Sequence, residues 1–501
     1  MKKLFISLLL LVSCTLFAQK NEPAWDSLAK YHKIPEWFKN AKFGIYLHWG
    51  IYSVPEYSTE WYPRYLYFPW SDERKHHEEV YGKKDYHELV PLFTAEKFDA
   101  QAWAELFKKT GARFAGLVTE HHDGFSMWDS ECTPWNAADM GPHKDIVGLL
   151  EKSIKGEGMK FITTFHHARN FQRYSDPKVM NKELTKDYSG HERHRFYQSH
   201  FPYYPNTAPS SNDKKLQMLY GNMPAEKWYK EMWFAKLKEV IDKYDPDVIW
   251  FDSWLDYIPE NYRYQFCEYY LKKAKERHKE IVIVRKENDL PLSVSVENLE
   301  NSRKSDLHPV LWETDETVSY DSWSYTSELK IKPASHLIHE LIDIVSKNGV
   351  LLLNISPRAS GEIPADQLKL LLEIGRWLKQ NGEAIYDTRP WYTYGEGPTK
   401  EPGEGLGNRA KFDALKYTTQ DFRFTTKGNS VYILVLGEPQ PGTALKINAF
   451  AKSKLPGKKH IKKVSMLGTS APVNWVHTDD GLKLSVPNAE YNISAVYKVD
   501  F

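Results

Sequence analysis

Short apolar segments recur along the first three quarters of the chain, and amphipathic stretches separate them. Continuous apolar strands that alternate with helices are typical of a parallel sheet covered by helices. With at least six such strands between residues 40 and 350, the pattern favours a closed (β/α)8-like barrel over an open doubly wound sheet. The predicted strands are Phe43–Leu47, Phe114–Val118, Phe161–Phe165, Val248–Phe251, Ile281–Val284 and Val350–Leu353, and the predicted helices include Ala100–Lys109, Ile146–Ile154, Ala225–Lys243 and Tyr264–Arg277.

The pattern changes after a predicted helix at Asp366–Asn381. A loop rich in Gly and Pro (394–407) leads into short segments in which apolar and polar residues mostly alternate. Period-two segments separated by turns predict an antiparallel β-sandwich. We therefore expect the barrel over residues 19–390 and the sandwich over residues 391–501. The predicted sandwich strands are Phe422–Thr426, Ser430–Val435, Ala444–Asn448 and Leu482–Val486.

The first 18 residues have the pattern of an export signal. A positively charged start is followed by an apolar stretch (4–12) and by a small residue, Ala18. Cleavage after Ala18 would yield a periplasmic or secreted protein. The alternative is a surface lipoprotein with a lipid anchor on Cys14. The apolar stretch is too short to span a bilayer, and no other segment predicts a membrane span.

Composition argues against a nucleic acid as the partner and is compatible with a carbohydrate. The 67 Lys and Arg residues nearly balance the 66 Asp and Glu residues, so no basic field for a nucleic acid exists. Aromatic residues make up 14% of the chain, which suits a carbohydrate cleft but also a large barrel core. The cysteines Cys132 and Cys267, without a CxxC motif, predict neither a disulfide framework nor a zinc cluster.

Polar and aromatic residues stand at the carboxyl ends of five predicted strands. In a parallel barrel these ends form one rim, where active sites are built. A single polar residue there would usually be structural, but five strands ending in this way predict a site. The residues are His48-Trp49, Glu120 to Asp123, His166-His167, Asp252 and Arg285.

Asp252 ends a fully apolar strand and is flanked by Trp250 and Trp254, so we expect its carboxyl group to be poorly solvated. Burial raises the pKa of a carboxyl group unless donors or cations keep it ionised. A helix cap or a structural ion pair is the alternative role. If the site hydrolyses glycosides, a second carboxyl group must protonate the leaving oxygen. The downstream candidates are Glu297 and Glu300, with Glu313 and Asp315 further along.

The sequence His121-His122-Asp123 raises the question of a metal. Adjacent residues on an extended chain point to opposite sides, so the two histidines are poorly placed to share one ion. No HExxH motif or Cys/His cluster completes a zinc shell. Hydrogen bonds from imidazole to sugar hydroxyls are the alternative. We expect no metal and no cofactor, and a metal-dependent hydrolase is the less favoured enzyme.

An ordered set of motifs resembles glycoside hydrolase family 29, the α-L-fucosidases, over most of residues 35–390. Each motif alone is weak, but their order along one domain is specific. The motifs are Trp37 to Gly50 (WFKNAKFGIYLHWG), Glu60-Trp61-Tyr62, Phe98 to Trp103, His121 to Phe125 (HHDGF), Tyr244 to Asp252 (YDPDVIWFD), Trp323 to Tyr325, and Ile344 to Pro357.

The resemblance implies an exo-acting, retaining enzyme with this same two-part fold and without a metal. Asp252 matches the nucleophile. The residues that match positions holding the sugar hydroxyls are His48, Glu60, Trp61, His121 and His122. Trp250 matches a residue that lines the pocket, where an aromatic wall suits the C6 methyl of fucose. The expected partner is a fucosylated oligosaccharide or polysaccharide.

The acid/base position varies within the family. Some members carry a Glu about a dozen residues before a Trp-Glu/Gln-Thr-Asp segment, and Glu300 stands twelve before Trp312. We therefore prefer Glu300, with Glu297 as the alternative. Arg285, at the end of its strand, is expected to be a cationic partner at the mouth.

Three departures from the family pattern leave the exact sugar open. Glu120 replaces a frequent Lys, and His166-His167 replaces a Tyr-rich strand end. The third is an insertion at about 172–221 that we expect at the cleft rim; it contains His191, His194, Arg195, Tyr203 and Tyr204. Alternatives are α-L-galactosyl or sulfated fucosyl substrates, the latter bound through Arg169, and a non-catalytic carbohydrate-binding surface protein.

Overall fold

The computed structural model describes residues 25–171, 207–252, 255–458 and 460–501. The predicted signal peptide, Cys14, Trp254 and residues 172–206 of the predicted rim insertion lie outside the described residues. In the described ranges, no helix is both long enough and apolar enough to cross a membrane.

Eight parallel strands close into a barrel in chain order, because β1 pairs with both β2 and β8. The predicted (β/α)8-like barrel is therefore confirmed. Its strands are β1 (Phe43–Leu47), β2 (Phe114–Glu120), β3 (Lys160–Phe165), β4 (Val248–Phe251), β5 (Val282–Arg285), β6 (Val296–Glu300), β7 (Trp312–Thr317) and β8 (Gly349–Ile355).

Both faces of the barrel strands are buried, which explains the continuous apolar runs. Tyr46 and Trp250 pack in the barrel interior, whereas Ile45 and Phe251 pack against the surrounding helices. Consecutive strand residues thus belong to two apolar cores, one inside the barrel and one between the barrel and its helices. The polar residues that follow each strand come out together at one end of the barrel.

Two of the eight strands, β6 and β7, have polar sequences that no apolar pattern predicts. Asn298 Nδ2 on β6 donates to Glu313 Oε2 on β7 at 3.1 Å, and Tyr46 OH donates to Asp315 Oδ2 at 3.0 Å. Burial raises the pKa of Glu313 to about 8. These hydrogen bonds pair polar side chains inside the mouth of the barrel, so strand formation does not need an apolar run here.

The helices surround the barrel, and the apolar faces of the longer ones cover it. The predicted helix at Ala225–Lys243 is interrupted by a π-helical turn at Tyr229–Phe234. The described helices are α1 (Trp25–Ala29), α2 (Glu36–Ala41), α3 (Tyr62–Tyr65), α4 (Asp72–Tyr81), α5 (Ala100–Thr110), α6 (Ile146–Gly156), α7 (Lys214–Leu219), α8 (Ala225–Trp228), α9 (Ala235–Tyr244), α10 (Glu260–Glu276), α11 (Ala334–Ser346), α12 (Ala365–Asn381) and α13 (Arg409–Asp413).

The C-terminal part is a pair of antiparallel sheets with a common apolar core, as the alternating pattern predicts. One sheet has the order β13-β16-β11-β10-β9 and the other β12-β15-β14. Phe424 and Ile433 from the first sheet and Leu484 from the second belong to that core. The strands are β9 (Arg389–Glu396), β10 (Phe422–Lys427), β11 (Ser430–Val435), β12 (Ala444–Ile447), β13 (Lys463–Met466), β14 (Trp475–Thr478), β15 (Gly481–Ser485) and β16 (Val496–Asp500).

A buried ionic cluster joins the barrel to the C-terminal sheets. Asp343 on α11 accepts from Arg423 Nε on β10 at 2.5 Å and from Lys347 Nζ at 2.8 Å. Glu401 accepts from both of these cations. Burial alone would raise the pKa of Asp343, but Lys347, Arg423 and Arg303 hold it well below its usual range. Asp343 is therefore ionised and links the two domains.

We expect Asp343→Asn to lower the free energy of unfolding by about 3–5 kcal/mol, because it leaves Lys347 and Arg423 buried without their central carboxylate. Urea denaturation monitored by far-UV circular dichroism measures the change. The matched control is Glu78→Gln, which breaks an exposed ion pair with Arg74 and should change stability little. Equal effects of the two substitutions would contradict this role.

Candidate active site

The carboxyl ends of the barrel strands surround a pocket of about 580 Å³. Of the nine preferred site residues from the sequence, seven line it, namely His48, Glu60, Trp61, His121, His122, Asp252 and Glu300. They come from five separate stretches of the chain and meet only through barrel closure. Further lining residues that the chemistry below uses are His166, Arg169, Lys286, Asp315, Trp323 and Leu406.

Asp252 lies directly after β4, where its backbone N–H donates to Phe165 O at 3.1 Å. Its Oδ1 accepts from Lys286 Nζ at 3.0 Å. Its Oδ2 lies 3.5 Å from His166 Nδ1 and 3.6 Å from His122 Nε2. Burial alone would raise the pKa of Asp252, but Lys286 and His166 hold it well below its usual range. The site thus presents an ionised carboxylate at the base of the pocket.

Glu300, the last residue of β6, supplies a second carboxyl group. Its Oε2 accepts from Lys286 Nζ at 2.8 Å. Because this oxygen and Asp252 Oδ1 lie 2.8 and 3.0 Å from one nitrogen, they are at most about 5.8 Å apart. Retaining glycosidases place their carboxyl groups about 5–5.5 Å apart and inverting enzymes about 6.5–9.5 Å apart. The spacing fits a retaining pair. Glu297 lines the same pocket but pairs with Lys304, at 3.0 Å.

Lys286 connects the carboxyl groups of the pocket. Its Nζ also lies 3.5 Å from Asp315 Oδ2 and 4.8 Å from the centre of the Trp250 ring. Burial opposes its charge, but Asp315, Glu300 and Asp252 raise the pKa of Lys286 well above its ordinary value. Burial raises the pKa of Asp315 to about 7 in spite of this cation. Asp315 therefore titrates near neutral pH while Asp252 stays ionised.

Histidine side chains form one side of the pocket. His48 Nδ1 lies 2.8 Å from Asn354 Oδ1, and His122 Nδ1 lies 3.0 Å from His166 O. Burial lowers the pKa of His48, His121 and His166 below the ordinary value, so these imidazoles are neutral near pH 7. A neutral imidazole both donates and accepts, as recognition of hydroxyl groups requires.

Trp61 and Trp323 supply the aromatic surface of the pocket. The guanidinium of Arg169 lies 4.7 Å from the centre of the Trp61 ring. Glu60 Oε2 accepts from Trp323 N at 3.2 Å, and burial raises the pKa of Glu60 to about 7. This arrangement places an aromatic face beside groups that can bind hydroxyls.

Two residues predicted to belong to the site, Trp250 and Arg285, do not line the pocket. Trp250 is fully buried in the barrel interior beneath the pocket, with its ring centre 5.4 Å from that of His166. Arg285 is absent from the lining, and its Nη1 donates to Lys286 O at 3.1 Å. Consecutive strand residues point to opposite sides, so the cation beside Asp252 is Lys286 rather than Arg285. The Lys after the Arg was the sequence signal that the prediction missed.

Not every polar strand end enters the pocket. Glu120 forms a buried ion pair with Lys236, with Nζ–Oε distances of 2.7 and 2.8 Å. His167 stacks on Trp233, and Asp123 accepts from Tyr86 OH at 2.8 Å. These residues are structural, which is the ordinary role of an isolated polar residue after a strand.

Leu406 is a pocket residue without any sequence signal. It belongs to the loop between β9 and β10, after the barrel has ended, and its side chain is largely exposed. Gly405 N donates to Ser302 Oγ at 2.8 Å, and Glu404 Oε2 accepts from Lys304 Nζ at 3.3 Å. These contacts hold the loop against the pocket on the Glu300 side.

Some side chains could hold a metal ion. His48, His121 and His166 each offer a ring nitrogen, and these three atoms lie within 4.8 Å of one another. A second group, with the same spacing, consists of one ring nitrogen each from His122 and His166 and a carboxylate oxygen of Asp252. Two further groups among the described residues centre on His336 and on Asp289. Hydrolysis by two carboxyl groups does not require any of them.

A parallel barrel that carries an ionised carboxylate and a second carboxyl group across one pocket defines the class, a glycoside hydrolase. Comparison with known proteins identifies the family. The sequence model of the family described as Alpha-L-fucosidase matches residues 9–383, and that of the Alpha-L-fucosidase C-terminal domain matches residues 416–498. The chain belongs to the α-L-fucosidase family.

The relatives cover nearly the whole chain. An α-L-fucosidase of Branchiostoma floridae is 27% identical, and the alignment covers 98% of this chain and 96% of the relative. Human tissue α-L-fucosidase is 28% identical, with 93% and 87% covered. The crystal structure of Thermotoga maritima α-fucosidase in complex with fucose is 28% identical and superposes with a TM-score of 0.71, with 95% and 99% covered.

We expect Lys286→Gln to raise the pKa of Asp252 by about 1–3 units, because a cation within hydrogen-bond distance favours the ionised form. Infrared difference titration follows the carboxylate and carboxylic acid bands, and Asp252→Asn assigns the band. Lys304→Gln is the matched control, since Lys304 lies beside Glu297 and not beside Asp252. An Asp252 pKa that is the same in wild type and Lys286→Gln would refute this assignment.

Proposed function

We propose that the protein is an exo-acting, retaining α-L-fucosidase that removes terminal α-L-fucosyl residues from glycans. The observation that carries the proposal is the contact of Asp252 and Glu300 with the same ammonium group, which sets the spacing of a retaining pair. Family membership supports the sugar. The Thermotoga maritima relative is known in complex with fucose and with a mechanism based inhibitor.

In the first step, a carboxylate oxygen of Asp252 attacks the anomeric carbon while Glu300 gives its proton to the glycosidic oxygen. The bond to the leaving group breaks, and a β-fucosyl ester on Asp252 forms. Glu300 then takes a proton from water, whose oxygen attacks the same carbon and displaces Asp252 as a carboxylate. Two inversions yield α-L-fucose. Protonation of Glu300 weakens its contact with Lys286, which stays beside Asp252 and Asp315.

The charges of the pocket favour the binding of an uncharged sugar over that of a sulfated one. Among the described residues, six carboxyl groups line it against the two cations Arg169 and Lys286. A sulfate group would meet a surplus of carboxylates, which disfavours the sulfated alternative. The aromatic faces of Trp61 and Trp323 suit the C6 methyl of fucose better than the C6 hydroxyl of galactose.

The leaving group extends past Glu300 toward Leu406. The acid/base must reach the glycosidic oxygen, so the rest of the glycan lies on the Glu300 side. Leu406 is 53% exposed and lines the pocket there. An exposed leucine beside the acid/base provides an apolar contact for the ring of the leaving sugar.

We also propose that the chain is exported and acts on a fucosylated oligosaccharide or polysaccharide in the periplasm or outside the cell. The charged, apolar and small residues of the first 18 positions support this. The intact mass of the exported protein distinguishes cleavage after Ala18 from a lipidated Cys14.

With an aryl α-L-fucoside, we expect Asp252→Ala to lose at least about 10³-fold in kcat, because no covalent intermediate can form. Azide, which fits the space of the lost carboxylate, should restore turnover and give the β-fucosyl azide. NMR identifies the anomers. Wild-type protein should release α-L-fucose first, and β-fucose as the first product would rule out the two-step mechanism.

Two variants of β6, Glu300→Gln and Glu297→Gln, test the identity of the acid/base on fucosides with good and poor leaving groups. Glu300→Gln should lose activity on a poor leaving group far more than on an activated aryl group, because only the poor leaving group needs a proton. Glu297→Gln serves as the control and should retain activity. The opposite result would transfer the role to Glu297.

We expect Leu406→Ala to lower kcat/KM for a fucosylated oligosaccharide about tenfold, the effect of losing one buried apolar contact. Hydrolysis of α-L-fucosyl fluoride should be unchanged, since fluoride does not reach Leu406. Leu368→Ala, an exposed leucine on α12, is the control and should affect neither substrate. Equal losses on both substrates would contradict a contact with the leaving group.

A further inference from the structure

Three imidazoles from three neighbouring strand ends face one another in the pocket. His48 follows β1, His121 follows β2 and His166 follows β3. The ring centres of His48 and His121 are 5.5 Å apart, those of His48 and His166 5.2 Å, and those of His121 and His166 4.8 Å. All three side chains are buried, so they form a nearly equilateral group that is held by the barrel.

In two of the rings, one nitrogen already has a polar neighbour. His48 Nδ1 lies 2.8 Å from Asn354 Oδ1, and His166 Nδ1 lies 3.5 Å from Asp252 Oδ2. A histidine that binds a metal commonly contacts an amide or carboxylate through its other nitrogen, which fixes the ring. His166 Nε2 and His121 Nδ1 are buried and have no hydrogen-bond partner among the described residues. Each of the three histidines offers one ring nitrogen, and these nitrogens lie within 4.8 Å of one another.

The spacing agrees with that of a tetrahedral metal site. With metal–nitrogen distances of about 2.0–2.1 Å, the ring centres of two imidazole ligands lie about 5.2 Å apart. The observed distances are 4.8, 5.2 and 5.5 Å. Imidazole nitrogens are preferred ligands of zinc and copper.

We propose that His48, His121 and His166 bind one divalent transition-metal ion of the zinc type and that this ion excludes the sugar from the pocket. The fourth position of the ion is open to water. The carboxylate of Asp252, whose Oδ2 lies 3.5 Å from His166 Nδ1, supports the positive charge of the site.

Competition with the sugar rests on the proposed function, because His48 and His121 match the family positions that hold the sugar hydroxyls. An ion bound to their ring nitrogens removes those hydrogen bonds. The ion is therefore an inhibitor, and the hydrolytic mechanism works without it.

Direct binding tests the site independently of activity. Full-length protein freed of metal with a chelator is titrated with ZnCl₂ by calorimetry. We expect micromolar binding at this site, a loss of at least tenfold in affinity in His166→Phe, and no change in His336→Gln. His336 belongs to a three-donor group outside the pocket. His121→Gln is the second variant, so that misfolding of one variant does not decide the result.

Absence of zinc binding, or equal binding by wild type and both pocket variants, would overturn the proposal. In hydrolysis assays zinc should raise KM for the fucoside at least tenfold while kcat stays constant, and L-fucose should weaken the calorimetric binding. Inhibition at unchanged KM would overturn the competition. Zinc binding through His166 without any fucoside hydrolysis would instead refute the proposed function and leave the metal site in place.

Discussion

The ammonium group of Lys286 governs the charge balance of the pocket. Carboxyl groups in a poorly solvated site take up protons unless a cation stays close to them. Lys286 contacts Asp252 and Glu300 within hydrogen-bond distance and lies slightly farther from Asp315. One cation cannot compensate all three carboxyl groups equally. The pKa of Asp252 is held low while burial raises that of Asp315 to about 7. This difference separates the ionised carboxylate of Asp252 from the neighbouring carboxyl group of Asp315, which titrates near neutral pH.

The two domains share the pocket more closely than their sequences suggest. The Asp343 cluster fixes the C-terminal sheets to α11 of the barrel. From that fixed position, the loop between β9 and β10 brings Gly405 against Ser302 and Leu406 into the pocket. The C-terminal domain therefore contributes to the site on the side where a leaving group would lie.

The lone pairs of the neutral pocket histidines suit both sugar hydroxyls and transition-metal ions. Burial keeps His48, His121 and His166 neutral, and a neutral imidazole has a free lone pair. The same lone pairs that accept hydroxyl protons can bind a transition metal. A site built for an uncharged polyol from buried imidazoles thus carries an inherent affinity for metal ions.

Local sequence determined the parts of this protein that depend on short-range patterns. Apolar runs buried on both faces predicted six barrel strands, alternation predicted the sandwich, and the position of Asp252 after an apolar strand predicted a pocket residue. The order of the motifs indicated the family. β6 and β7 escaped prediction because their polar residues are satisfied by partners such as Tyr46, which is distant in sequence.

Tertiary structure alone decided which side chains meet. Lys286, which directly follows β5, and not Arg285 at the end of that strand, contacts Asp252, and only barrel closure brings Glu300 to the same ammonium group. Glu120 and His167 look like site residues in the sequence, but Lys236 and Trp233 hold them outside the pocket. The physical reason is that a charge or a hydrogen bond is satisfied through space. Its partner can therefore come from any strand or domain that the fold brings within about 3 Å.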